Sequence, residues 1–290
     1  MGGRNYLKTT LLLGALSGLL LAIGYFLGGQ RGLTLGLVIA VVMNVGAYFF
    51  SDKLALAASG ARPISEAQAP EFYAIVAGLA QKANVPMPRL YLSPSPQPNA
   101  FATGRSPKHA AVAVTEGLLP ILNRDELEGV LAHELAHVWN RDILISSIAA
   151  TIAAAITYVA HFAFFFGGSD DDDGGNPLAG LLLFILAPIS ATIVQLAISR
   201  SREFGADSTG ARITHNPLAL ANALRKIEQY GRGTPPATRN PATAPLFISN
   251  PFKNGRGRVS MFARLFSTHP PTAERVRRLE AMAYEIRGRR

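Results

Sequence analysis

The chain contains no cysteine among its 290 residues. Disulfides, thiolate metal ligands and thiol nucleophiles are thereby excluded together, leaving His, Asp and Glu as the strong metal-binding side chains. Charge is scarce as well: Asp, Glu, Lys and Arg make up 16% of the chain, with 19 acids against 28 bases and a net charge of +9. No internal repeat is present. A nucleic-acid binder can be this basic, but its Lys and Arg then cluster beside aromatics. Here they fall between long uncharged stretches, which argues against nucleic acid and for a lipid bilayer as partner.

Four stretches lack Asp, Glu, Lys and Arg altogether: Thr9–Gln30, Gly32–Ser51, Ile143–Ser169 and Gly174–Ser199. At about 1.5 Å per helical residue each is long enough for a hydrocarbon core of about 30 Å. They predict four transmembrane helices in two hairpins; for the second pair, a buried hairpin of apolar core helices is the alternative. Arg4 and Lys8 give the first stretch a signal-like start, but no small-residue cleavage site follows, so it reads as an uncleaved anchor. Tyr6 denies the opening Met-Gly a myristoylation motif. Arg31 is the only base in the first turn, and the turn containing Asp170–Asp173 has none, whereas Lys53, Arg141, Arg200 and Arg202 flank the spans on the other side. By the positive-inside tendency both termini and the middle segment face the cytoplasm. The expected organisation is a membrane hairpin over 1–51, a cytoplasmic part over 52–142, a second hairpin over 143–199 and a second cytoplasmic part over 200–290.

Residues Pro70–Asn84 read as an amphipathic helix, with Phe72, Ile75, Val76 and Leu79 near helical spacing. The short alternating runs RLYLS (89–93), NAFATG (99–104) and HAAVAVTEG (109–117) predict a small antiparallel sheet, with Asn99–Thr103 as its edge strand. The fold class is therefore α+β and mostly helical. Asn123 followed by Glu126 is a capping-box pattern that starts a helix through Arg141. The Gly- and Pro-rich segment 231–271 reads either as a disordered linker or as a lid or membrane-touching loop, and Pro270-Pro271 introduce a last basic helix from Thr272 to about Arg287.

The sharpest signal is VLAHELAHVWNRDIL, residues 130–144. Residues four apart share a helical face, so His133 and His137 can both direct a ring nitrogen at one ion. Glu134 lies about 100° further round, where it reaches a water at the ion without itself becoming a ligand. A catalytic zinc takes three protein ligands and keeps one position open. The best third ligand is Glu203 in ISRSREFGAD, with Asp207 on the same face to accept a hydrogen bond from a ligand histidine. His137 and Glu203 are separated by two apolar stretches, and an even number of crossings returns the chain to the side it left. His269, in STHPPTAERV, is placed either as a transient ligand, as an oxyanion partner or as a local cap. His109, His161 and His215 carry no partner pattern. A site closed by a fourth ligand, for which His269 is the obvious choice, would instead mark a non-proteolytic scaffold with a structural metal.

HELAH after a capped helix, two following apolar stretches, SREFGAD, NAFATG upstream and THPPTAERV downstream together resemble the HtpX family of bacterial membrane zinc metalloproteases, relatives of the CAAX prenyl protease. The likeness spans nearly the whole chain. It implies a zincin-like peptidase of the gluzincin type, one Zn2+ per subunit and an active site at the cytoplasmic face of the bacterial inner membrane. It also implies misfolded membrane proteins as substrates and a role beside other quality-control proteases. Position by position, His133, His137 and Glu203 become the ligands and Glu134 the catalytic base. Residues Asn99, Ala100, Phe101, Ala102 and Thr103 resemble the edge strand along which such peptidases lay an extended substrate. Phe204 departs from the tyrosine frequent in relatives.

Overall fold

The computed structural model describes residues 2–149, 152, 200–231, 234, 248 and 270–288, and among these the chain is mostly helical with one small sheet. Helix α1 (Gly2–Ala58) is interrupted at Gly28 and at Gly29, whose φ of 55° and ψ of −135° suit only a residue without a Cβ. Asn44 Nδ2 donates to Ser17 Oγ at 2.8 Å, so the second arm returns beside the first as a hairpin. Thr9–Phe26 and Gly28–Ala58 are each long and apolar enough to cross a membrane. Leu11, Leu35, Val42 and Phe26, the last 88% exposed, face outward from these arms. An apolar wall of this extent suits hydrocarbon rather than water.

The other two expected spans, Ile143–Ser169 and Gly174–Ser199, lie almost entirely outside the described residues. Residues 143–149 are helical, and Leu144, Ile145 and Ile148 bury against Leu12 and Leu16 of α1.

The sheet has strands β1 (Arg62–Pro63), β2 (Arg89–Ser93), β3 (Ala100–Thr103) and β4 (Ala111–Thr115) in the order β1-β2-β4-β3. It is mixed, not antiparallel as expected: β4 pairs antiparallel with β3 but parallel with β2. The reason is the burial of β4. Val112 and Val114 enter the main core, while Ala111 and Ala113 pack with Phe101 against Ala55 and Leu56 at the end of α1. A strand covered on both faces belongs at the centre of a sheet, so β4 inserts between β2 and β3 and leaves β3 at the edge. The alternation Ala-Val-Ala-Val marks two apolar surfaces rather than an inside and an outside.

Helix α2 (Pro70–Lys82) buries Phe72, Ile75, Val76 and Leu79, as its periodicity predicts. Helix α3 (Arg124–Trp139) is enclosed on all sides, with Val130, Leu131, Ala132 and Ala136 fully buried. It is packed by the sheet, α2, α4 (Arg200–Thr214) and α5 (Pro217–Gly231), while α6 (Thr272–Gly288) closes over α4 and α5.

Candidate metal centre

Both ends of α3 set the position of its histidines. At the N-terminus Asn123 Oδ1 accepts from the Glu126 amide at 2.9 Å, while the Asn123 amide donates to Glu126 Oε2 at 2.9 Å, the reciprocal cap that the sequence predicts. At the C-terminus the helix stops at Trp139, short of the expected Arg141. The Asp142 amide donates to the His137 carbonyl at 2.9 Å and the Arg141 amide to the Val138 carbonyl at 3.2 Å, with Arg141 at φ 59°. These are the two bonds of a Schellman cap. The turn swings the Asp142 carboxylate back to His137 Nδ1, 3.2 Å away.

Helix α4 crosses α3 at Gly210, where an added Cβ would lie 2.9 Å from the His133 backbone nitrogen. This close approach brings Glu203 and Asp207, one helical turn apart, against the histidines. Asp207 Oδ1 lies 2.9 Å from His133 Nδ1. With each Nδ1 facing a carboxylate, each imidazole in its neutral, metal-binding form carries its hydrogen there and turns a bare lone pair outward on Nε2. The two Nε2 atoms are 3.3 Å apart, and Glu203 Oε1 and Oε2 lie 3.5 Å from His137 Nε2 and 3.8 Å from His133 Nε2. Two lone pairs at this range repel unless a cation sits between them, which in the metal-free protein at neutral pH is the proton carried by His137 and which a metal ion can replace. Ligands about 2.0–2.1 Å from a tetrahedral ion are about 3.3–3.4 Å apart, so His133, His137 and Glu203 have the spacing and chemistry to hold a metal ion.

Glu134 stands beside this triangle and is not part of it. Its Oε2 accepts from the Ala102 amide of β3 at 2.8 Å. Burial pushes its carboxyl up to about 7, with the Glu203 carboxylate adding to the shift. Burial also lowers His133, helped by the cation of Arg275. For His137 burial works downward as well, but the hydrogen bond to Asp142 and the carboxylates of Glu203 and Glu134 outweigh it and hold the ring at about 9.

Arg275 of α6, only 2% exposed, was not singled out by the sequence. Its Nε and NH2 groups donate to the two Asp207 oxygens at 2.8 and 2.6 Å, and NH1 donates to the Ile248 carbonyl at 3.1 Å. This cation overrides the burial of Asp207 and lowers its carboxyl to about 2. Arg275 is in helical phase with the buried Leu279, a signal that was available but hidden among the neighbouring Arg277 and Arg278.

Asn99 precedes β3 and is buried. Its amide donates to Thr115 Oγ1 at 2.8 Å and its Oδ1 accepts from the Ile248 amide at 2.9 Å. Ala100, Phe101, Ala102 and Thr103 form the edge strand itself. His109 and His215 are exposed. His269 and His161 lie outside the described residues, as does most of the segment 231–271.

The model of peptidase family M48 matches residues 66–283. Protease HtpX homologs from Sulfurihydrogenibium sp. and Pyrococcus furiosus are 52% and 53% identical, the first alignment covering 97% of both chains and the second 99% of both. One from Pelotomaculum thermopropionicum is 54% identical over 96% of this chain and 99% of its own. Among solved structures, S. mikatae Ste24p is similar at a TM-score of 0.48 and 17% identity; the alignment covers 95% of this chain and 65% of that one. Half-identical along almost its whole length to named proteases, and matched by the family model across every element that builds the metal triangle, the chain belongs to peptidase family M48 as a membrane metalloprotease.

Proposed function

We propose that the chain is a zinc-dependent endopeptidase that cuts misfolded or damaged membrane proteins at the cytoplasmic face of the bacterial inner membrane, with four membrane spans. His133, His137 and Glu203 hold the zinc, Asp207 and Asp142 orient the two imidazoles, and Glu134 is the general base. Zinc, when bound, polarises the scissile carbonyl and makes a water acidic enough to attack at neutral pH. Glu134, with its carboxyl near 7, takes the proton of the attacking water and delivers it to the leaving amide nitrogen. The outer edge of β3 offers main-chain groups to an extended substrate, and the Ala102 amide holds Glu134 against that edge. The hairpin α1 keeps the site beside the bilayer and so favours substrates already confined there. His269 stands as a transient ligand or oxyanion partner in this scheme, and other quality-control proteases are its expected neighbours.

The observation that carries the proposal is the triangle of two imidazole nitrogens and one carboxylate, with separations of 3.3, 3.5 and 3.8 Å. Glu134→Gln keeps the shape of the side chain and removes its basicity. The expected result is unchanged zinc content with loss of cleavage of an unfolded membrane protein, measured on the purified full chain. Full activity in that variant removes Glu134 from the mechanism.

A further inference from the structure

Ile248 is held by both of its main-chain groups, at a point between the sheet and the metal centre. Its amide donates to Asn99 Oδ1 at 2.9 Å, and its carbonyl accepts from Arg275 NH1 at 3.1 Å. Its side chain is buried and belongs to the main core. Asn99 is fixed in turn by β4: its amide donates to Thr115 Oγ1 at 2.8 Å, and its carbonyl accepts from the Thr115 amide at 3.0 Å. One residue thus connects the head of the edge strand with the arginine that holds Asp207.

The place of Arg275 NH1 gives this connection its chemical meaning. NH1 lies 3.8 Å from Glu203 Oε2, the oxygen that faces His133 Nε2, also at 3.8 Å. A buried donor left without an acceptor is costly, and a bond from a guanidinium to a carboxylate is among the strongest that side chains make. If the Ile248 carbonyl withdraws, NH1 turns to Glu203. That oxygen is then engaged by a cation of the protein and binds a metal ion less well. While the carbonyl stays, NH1 has its acceptor and Glu203 keeps its lone pairs for the metal.

We infer that Ile248 is a main-chain spacer that keeps Arg275 off Glu203, and that Asn99 is a positioning residue acting through it. Asn99 does so by fixing the Ile248 amide, while the sheet fixes Asn99 itself. The inference rests on the reading of His133, His137 and Glu203 as zinc ligands, and adds to it a residue from the head of β3.

The test measures the zinc affinity of the purified full chain by competition with a fluorescent chelator, with thermal melting as a check on folding. N99A binds zinc about fivefold more weakly than the wild type, a smaller loss than at the supporting carboxylate itself. N99S, whose hydroxyl is too short to reach the Ile248 amide, shows the same loss and decides the matter if the alanine variant unfolds. S93A, which removes a buried hydrogen bond between β2 and the Ser59 carbonyl, keeps the wild-type affinity. Because Asn99 acts through Arg275, its effect disappears once Arg275 is released from Asp207, so N99A/D207N binds zinc no more weakly than D207N. Wild-type affinity in N99A and N99S, multiplied losses in the double variant, or an equal loss in S93A overturns the inference. A raised KM for an unfolded membrane protein at saturating zinc, with zinc affinity unchanged, assigns Asn99 to the substrate and overturns it as well. A wild-type chain that binds no zinc refutes the ligand reading. One that binds zinc no better than N99S does refutes this inference alone.

Discussion

At the scale of the residue, each group at the metal centre is set by the one behind it. His133 is oriented by Asp207, which is held ionised by Arg275, and His137 is oriented by Asp142. Replacing Asp207 with Asn keeps the volume but removes the anion facing the ring and leaves Arg275 with only the more distant Glu203 carboxylate, 3.8 Å from its NH1. Loss of such a supporting carboxylate weakens metal affinity about 10- to 100-fold. Competition with a fluorescent zinc chelator measures it, and an unchanged affinity would show that Asp207 serves packing alone. Protons compete with the metal too. In the metal-free protein His137 is held at about 9, so at pH 7 its ring carries a proton that an incoming ion must displace. Apparent affinity is therefore expected to rise by up to about tenfold per pH unit up to about 9 and then to level off. A calorimetric titration that is flat from pH 6 to about 9 would contradict this assignment of the proton. Of these residues the histidines, Glu134, Glu203 and Asp207 are legible from spacing, because helical periodicity fixes which side chains share a face. Asp142 is not: it reaches His137 only because Arg141 adopts a left-handed conformation that no simple residue preference announces.

At the scale of the element, α3 and β3 build the candidate site in different ways. The capping box of α3 is readable because it is local, three residues apart. The enclosure of α3 is not readable, since it depends on Gly210 and on helices far along the chain. The sheet shows the same division. The runs that become β2, β3 and β4 are visible as runs, but the insertion of β4 between the others follows from burial on two faces and yields the parallel pairing that alternation alone does not suggest. β3 is an edge strand whose Ala102 amide points away from β4 to Glu134, so a proline there removes one donor without breaking the ladder. Ala102→Pro is expected to keep its metal and lose about tenfold or more in cleavage rate, because the proposed base, Glu134, loses its anchor. Metal analysis and a cleavage assay on the same preparation check both halves, and normal cleavage would detach the edge strand from catalysis.

At the scale of the whole molecule, the metal centre is assembled from two regions of the chain. His133 and His137 come before the apolar stretches that begin at Ile143, and Glu203 comes after them. The four uncharged stretches are plain in the sequence, and the first two form the hairpin α1, whose exposed aliphatic surface calls for hydrocarbon. What joins the regions is the crossing of α3 and α4, a long-range fit that sequence spacing can suggest but not demonstrate. The most direct measurement is the zinc content of the purified, intact protein, wild type against Glu203→Ala, by inductively coupled plasma mass spectrometry, with thermal melting as a check on the fold. One zinc per wild-type chain, with the ion lost from a still-folded Glu203→Ala chain, is the predicted result. A folded Glu203→Ala chain that keeps its zinc at full affinity would contradict it.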